Sequence, residues 1–290
     1  LAANQGAPFF VTVDCSSVYW TSNNGTVNKV PIGGGAVTTL ASGQNGPAGI
    51  AVDANSVYWV NGGDGTVNKI PLSGGSIVQL AANQNGPYDI VVNSTRAYWT
   101  NSGDGTVNSV PISGGTPTTL VSGQGAPQAI AIDAINLYWM DNELNHGSVN
   151  QVPLSGGTIT VLADNLAIEP GDPDFIAVDA THVYFTYTHE GQIDSVPIGG
   201  GPVTEIAESI VSLGGGATNG GPAGIAVDAN NVYWVELFSG NVNAVPKGGG
   251  TVTTLATGQF DQSFSFGIAL DANNVYWTDT GTGTVNTVSK

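Results

Sequence analysis

Apolar and polar residues follow one another in short runs along the chain, and nowhere does the three-to-four-residue apolar period of an amphipathic helix appear. The stretch from Gly46 to Leu80 shows the pattern most clearly. Ile50-Ala51-Val52 is continuously apolar, as an inner strand buried on both faces should be. Val57 to Val60 is β-branched and aromatic, Thr66 to Ile70 alternates apolar with polar, and Ile77 to Leu80 reads as a fourth strand. The separators are turn residues: Asp53-Ala54-Asn55, Asp64-Gly65 and Gly74-Gly75.

The same text then returns. An aromatic pair recurs seven times, as Tyr19-Trp20, Tyr58-Trp59, Tyr98-Trp99, Tyr138-Trp139, Tyr184-Phe185, Tyr233-Trp234 and Tyr276-Trp277. Its second members lie 39, 40, 40, 46, 49 and 43 residues apart. All six Trp occupy this position, and Phe185 fills the seventh. Four short strands every ~40 residues without a helix predict propeller blades. The expectation is an all-β chain: a seven-bladed β-propeller of four-stranded antiparallel blades, one domain over residues 1–290.

The two ends indicate how the ring closes. Leu1 to Gln5 repeats Leu80 to Gln84, the end of a fourth strand and the loop after it, whereas Gly283 to Val288 reads as a third strand. The N-terminal segment should therefore lie beside the last blade, about one strand short of completing it. A stub, a longer natural chain, or strand exchange with a neighbouring chain would each account for that slot.

Charge narrows the function classes. Of 290 residues only 9% are charged, with 22 Asp and Glu against 5 Lys and Arg, a formal charge of −17. Five basic residues cannot build a nucleic-acid face, so nucleic acid is excluded as a partner, and an anionic membrane surface is disfavoured for the same reason. No apolar run reaches the ~18 residues of a membrane span, so membrane insertion is not expected. No basic segment followed by an apolar core is legible, so any leader is expected to have been removed or never to have been there. The single Cys15 rules out an internal disulfide framework. An acidic, Lys-poor, Thr/Asn/Gly-rich chain points to export: secreted, periplasmic or at the cell surface.

Gly267-Ile268-Ala269-Leu270-Asp271 followed by Val275-Tyr276-Trp277-Thr278-Asp279 resembles the YWTD propellers, the class B repeats of low-density-lipoprotein receptors, and more loosely the NHL and TolB-like propellers. The resemblance spans essentially the whole chain and implies a fold, not a ligand. Two features depart from it. YWTD propellers usually have six blades where seven are counted here, and the Asp after the aromatic pair survives only at Asp141 and Asp279. The seven-bladed virginiamycin B lyases are a second, more distant likeness, and that family is enzymatic.

Much of the polar inventory is structural by position. Asp14, Asp53, Asn93, Asp133, Asp179, Asp228 and Asp271 share the end of the first strand, where a side chain can bond the turn backbone. Asn28, Asn68, Asn108, Asn150, Asp194, Asn243 and Asn286 share a place on the third strand. What breaks the repeat is more informative, because function collects on loops and at concave mouths. All six Glu and all three His fall between residues 143 and 236, where the spacing stretches. His182 belongs to a turn on the opposite face and is set aside.

The start of each first strand should line the channel mouth. Matched positions place Phe10, Tyr88, Phe175 and Phe266 beside Asp89, Gln128 and Asp174, with Glu236 and Phe238 on the rim from blade six. That mixture suits stacking and hydrogen bonding of a glycan or another small polar ligand. The bland alternative is that the rings plug a channel. Asp141, Glu143, Asp172 and Glu190, from consecutive blades with no Lys or Arg between Arg96 and Lys247, are the candidate ligands for Ca²⁺. With His146 and His189 the same sector would suit a metal-dependent lyase or a lactonase-like hydrolase. No catalytic triad, nucleophile elbow or phosphate loop is present. The leading expectation is a non-catalytic, lectin-like binding or scaffold protein acting outside the cytoplasm, its ligand a glycan, small molecule or protein held around blades four to six. The alternatives are the metal-dependent enzyme and a self-assembling structural subunit.

Overall fold

Blade 2 shows how one repeat folds. Pro47–Val52, Ser56–Asn61, Thr66–Pro71 and Val78–Ala81 pair in that order as one antiparallel sheet. The second strand is buried along its whole length, with Tyr58 at 1% exposure and Trp59 at 0%, because neighbouring sheets cover both its faces. Taking an aromatic side chain of this kind out of water contributes on the order of 2–3 kcal/mol. Trp20, Trp99, Trp139, Phe185 and Trp234 repeat that burial in their own blades.

The computed structural model describes residues 1–143, 147–166, 175–188, 191–208, 221–237, 239–258 and 267–290. Among the described residues there are 27 strands in seven antiparallel sheets and no helix. The seven blades are numbered here from the N-terminus, one for each aromatic pair. Each first strand contacts its counterpart in the next blade, and blade 1 contacts blade 7, so the ring is closed.

Closure follows the reading of the termini. Ala2 exchanges both backbone bonds with Val285, N to O at 3.1 and 3.0 Å, and the Gln5 amide donates to the Gly283 carbonyl at 2.9 Å. The last sheet has three strands plus this bridge in the fourth slot. Thr278 Oγ1 and Thr280 Oγ1 add bonds to the carbonyls of Phe9 and Pro8 at 2.6 and 2.7 Å.

The repeated polar positions are structural, as their periodicity suggests. Asp53 Oδ1 accepts the amides of Asn55 and Ser56 at 2.7 and 2.8 Å, and its Oδ2 accepts the Tyr58 hydroxyl at 2.8 Å. Asn28 donates to Thr26 Oγ1 and accepts from Thr39 Oγ1, each at 2.8 Å, tying the third strand to the fourth. One element was not anticipated. The indole N–H of Trp59 donates to Gln44 Oε1 at 3.0 Å, and Asn61 Nδ2 shares that oxygen at 3.1 Å. The Gln44 amide in turn donates to Gly25 in blade 1, so the residue staples two blades. Gln84 and Gln124 receive Trp99 and Trp139 in the same way.

Candidate functional site

The first strands begin earlier than their apolar runs suggest, and that extension builds the channel. In blade 2, Pro47 pairs with Asn61 while Ile50 pairs with Trp59, so a bulge lies between them. Blades 1, 3, 4 and 6 carry the same irregularity. A bulge turns side chains away from the regular alternation. Here it governs the two residues that face the channel mouth: Phe9-Phe10, Ala48-Gly49, Tyr88-Asp89, Gln128-Ala129 and Ala223-Gly224. Directly below sits an aliphatic ring with one residue from every blade: Val11, Ile50, Ile90, Ile130, Ile176, Ile225 and Ile268.

A cavity of about 240 Å³ lies against this ring, bounded by Phe10, Phe175, Gly224, Gly267 and Asp89. Phe10 holds the aromatic group together. Its ring stands edge-on to Tyr88 at 5.8 Å and 85°, and tilted to Phe175 at 6.0 Å and 55°. Phe10 and Phe175 are buried and Tyr88 is half-buried. Among the described residues Asp89 is the one ionisable side chain on the cavity wall. Its Oδ1 accepts the Ile90 amide at 2.8 Å, and its Oδ2 accepts the Ile130 amide of blade 4 at 3.2 Å. Burial outweighs these two bonds and pushes the carboxyl up to about 7. Glycine at position 49 is what admits it: a Cβ there would stand 2.5 Å from both the Asp89 Cα and its Oδ1.

The residues singled out from sequence separate into three groups. Phe10, Tyr88, Asp89 and Phe175 meet at the channel. They come from blades 1, 3 and 5. Gln128 is half-buried at the matching rim position, and its carbonyl accepts Thr100 Oγ1 at 2.5 Å. Asp174, Phe238, Phe266, Asp172, Glu190, His146 and His189 lie outside the described residues.

Glu236 and Asp141 are placed by the structure inside their blades, and this corrects the picture of loop carboxylates. Glu236 is 1% exposed; its Oε1 accepts Trp234 Nε1 at 2.7 Å and Asn243 Nδ2 at 3.1 Å, doing in blade 6 what a Gln does in blades 2 to 4. Asp141 accepts the amides of Gly125 and Ala126 at 3.0 and 2.7 Å, one on each oxygen. Burial, with the nearby Glu143 charge, raises its carboxyl. Among the described residues no three His, Cys, Asp or Glu side chains cluster to grip a metal. Of the four carboxylates expected to hold Ca²⁺, Asp141 and the exposed Glu143 are described, and Asp172 and Glu190 lie outside the described residues.

The aliphatic ring and the glycines that leave room beside it were missed as a site. Their signal was the Gly-Ile pair in the repeat, which reads equally as core.

Solved structures share this architecture along the whole chain. A streptogramin B lyase superposes with a TM-score of 0.82 at 15% identity, over 100% of this chain and 95% of that one. The virginiamycin B lyase from Staphylococcus aureus gives 0.80 at 14%, over 100% and 98%. A chain of a nidogen–laminin complex gives 0.65 at 17%, over 85% and 95%. The chain shares their propeller fold. No protein-family model and no curated protein matches the sequence. At these identities the likeness concerns fold alone, and the neighbours include both lyases and a chain taken from a binding complex.

Proposed function

We propose that the protein is a non-catalytic binding propeller acting outside the cytoplasm, with a small polar ligand held at the mouth of the central channel. One observation carries this reading: Phe10, Phe175 and Asp89, from three separate blades, converge on a cavity of about 240 Å³, with Tyr88 packed edge-on to Phe10. Stacking surface beside one deeply set polar group is the usual composition of a small-ligand site. Ala129 and Gly224 occupy the matching position in other blades, so an acid here is particular to blade 3 and not part of the repeat. The test is a metabolite and glycan screen read by thermal shift, repeated with Phe10→Ala. A ligand that stabilises the wild type, and the variant much less, supports the channel site; equal stabilisation of both removes it.

A second reading is a metal-dependent lyase on the same face, favoured by the full-length fold likeness to two lyases. It separates from the first by metal. A bound ion stabilises only the folded state, so chelation would lower the melting temperature of such an enzyme. The binding reading expects a melting temperature that chelator leaves unchanged.

A further inference from the structure

The distribution of charge narrows the chemistry of the channel ligand. Among the described residues of the wall Asp89 is the one charged side chain in aliphatic and aromatic surroundings, and its two oxygens face amide N–H groups that favour the ionised form. No basic side chain of the chain is available to it, because all five are held elsewhere. Lys29 and Lys69 donate to the carbonyls of Leu72 and Ile112, each at 2.5 Å. Lys247 and Lys290 pair with Asp179 and Asp228 at 2.6 and 3.0 Å, and Arg96 Nη2 bonds Ser109 at 2.8 Å. These partners lie on strands and turns at the opposite face of the ring. No Lys or Arg supplies the counter-charge for an ionised Asp89, and a net charge of −17 concentrates cations in the surrounding solution.

The wall then selects among cations. Ca²⁺ and Mg²⁺ require a full shell of oxygens, and the wall has a single carboxylate set in hydrocarbon. A polyol would find no second polar side chain among the described wall residues for its remaining hydroxyls. An ammonium ion with a carbon body needs one anion, aromatic faces and apolar surface. Phe10 and Phe175 stand on the cavity wall tilted to one another, not as a flat stack, with Tyr88 edge-on to Phe10. We infer that the channel at Asp89 binds a small organic ammonium ion, its nitrogen beside the carboxylate and its carbons against Phe10 and the aliphatic ring. The inference rests on reading the channel as a ligand site.

Choline and 3,3-dimethylbutan-1-ol test it, since they match in shape and differ in charge. The readout is the ¹³C-methyl spectrum of wild-type protein at about pH 8, in which six isoleucines of the ring report directly on the channel. Choline should shift those methyls saturably, the uncharged alcohol should bind at least tenfold more weakly, and Asp89→Asn should erase the difference. Equal binding of the two compounds to the wild type overturns the cation inference and leaves the channel as a ligand site. Binding of a simple sugar at these methyls, with choline silent, has the same consequence. Silence towards choline, the alcohol and a sugar panel alike overturns both the inference and the channel reading.

Discussion

Replacing Asp89 by Asn removes the channel's ionisable group with little change of shape, and its effect on stability should depend on pH. The carboxyl lies at about 7 instead of 3.8 because burial disfavours the ion more than the Ile130 and Ile90 amides favour it. The folded protein thus holds a proton that the unfolded chain releases between those two values. Stability from this group is full below about pH 4, falls as pH climbs towards 7, and is level above. At about 1.4 kcal/mol per pH unit, the gap between 3.8 and about 7 caps the loss at ~4 kcal/mol. Asp89 stays partly open to the channel, and screening by water there brings the expected value to about 2 kcal/mol. Asn does not titrate, but it leaves one of the two amides facing an NH₂ group, at about 1 kcal/mol. Asp89→Asn should therefore be the less stable protein near pH 4.5 and the more stable one near pH 8. Urea unfolding of both proteins across that range measures the difference directly. Taking the difference also cancels Asp14, Asp179, Asp228 and Asp271, whose carboxyls are held low and whose contribution runs the other way. A wild-type-minus-variant difference that stays constant from pH 4.5 to 8 would refute the reasoning.

Three further perturbations probe the frame around the site. Gln44→Ala leaves two buried donors, Trp59 Nε1 and Asn61 Nδ2, short of an acceptor and should cost about 1–3 kcal/mol in urea unfolding; Gln5→Ala should cost clearly less, because Trp20 Nε1 has no partner among the described residues. Gly49→Ala sets a Cβ 2.5 Å from the Asp89 Cα, so thermal unfolding should register a loss of about 1–3 kcal/mol and any channel ligand should bind more weakly. In Asp179, burial pushes the carboxyl up, but Lys247 and the amides of Thr181 and His182 hold it below the usual range. The pair therefore stabilises above about pH 4 and is lost on acidification; Lys247→Met should remove about 1 kcal/mol at pH 7 and little near pH 2, since both partners are partly exposed.

The sequence was most legible where the repeat constrains it. The aromatic pair, the turn Asp and the third-strand Asn each recur at one position with the same bonds in most blades, Asn243 departing by donating to Glu236 and Asn93 by donating to the Tyr98 hydroxyl. The bulge was not legible, because Pro-Ala-Gly ahead of Ile50 reads as a loop; only pairing with Asn61 makes it strand. Nor was the fate of Glu236. On sequence it is one of the acids that break the repeat, and its burial depends on Trp234 and Asn243 lying within reach, a fact of cross-strand register. Asp141 misleads in the same way, since the amides it caps are 15 and 16 residues upstream. Asp89 was legible as an oddity in its column. That nothing neutralises it required the positions of all five basic side chains.

Those five positions tie the fold to the function proposed for it. A propeller of near-identical blades must hold each junction against its neighbour, and on one face this chain does so with its scarce cations. Lys29 and Lys69 cap carbonyls of the next blade, while Lys247 and Lys290 reach the turn Asp of the preceding blade and lie 5.7 and 5.3 Å from the ring centroids of Tyr184 and Tyr233. Elsewhere an aliphatic residue takes the place of Lys247 and Lys290, as with Leu72 and Ile112, and packing alone covers the junction. Using every Lys in this way leaves Asp64, Asp104, Asp141, Glu143, Glu236 and Asp279 at the other end of the blades with no Lys or Arg among them. Of these, Asp141 and Glu236 accept hydrogen bonds inside their blades. Asp89 differs because its bonds to two amides are too few to offset its burial. A residue whose ionised form is disfavoured by the empty site and favoured by an arriving cation couples binding to proton release. An ammonium ligand should therefore bind more tightly as pH rises through about 7, which follows from the same burial that sets the stability profile.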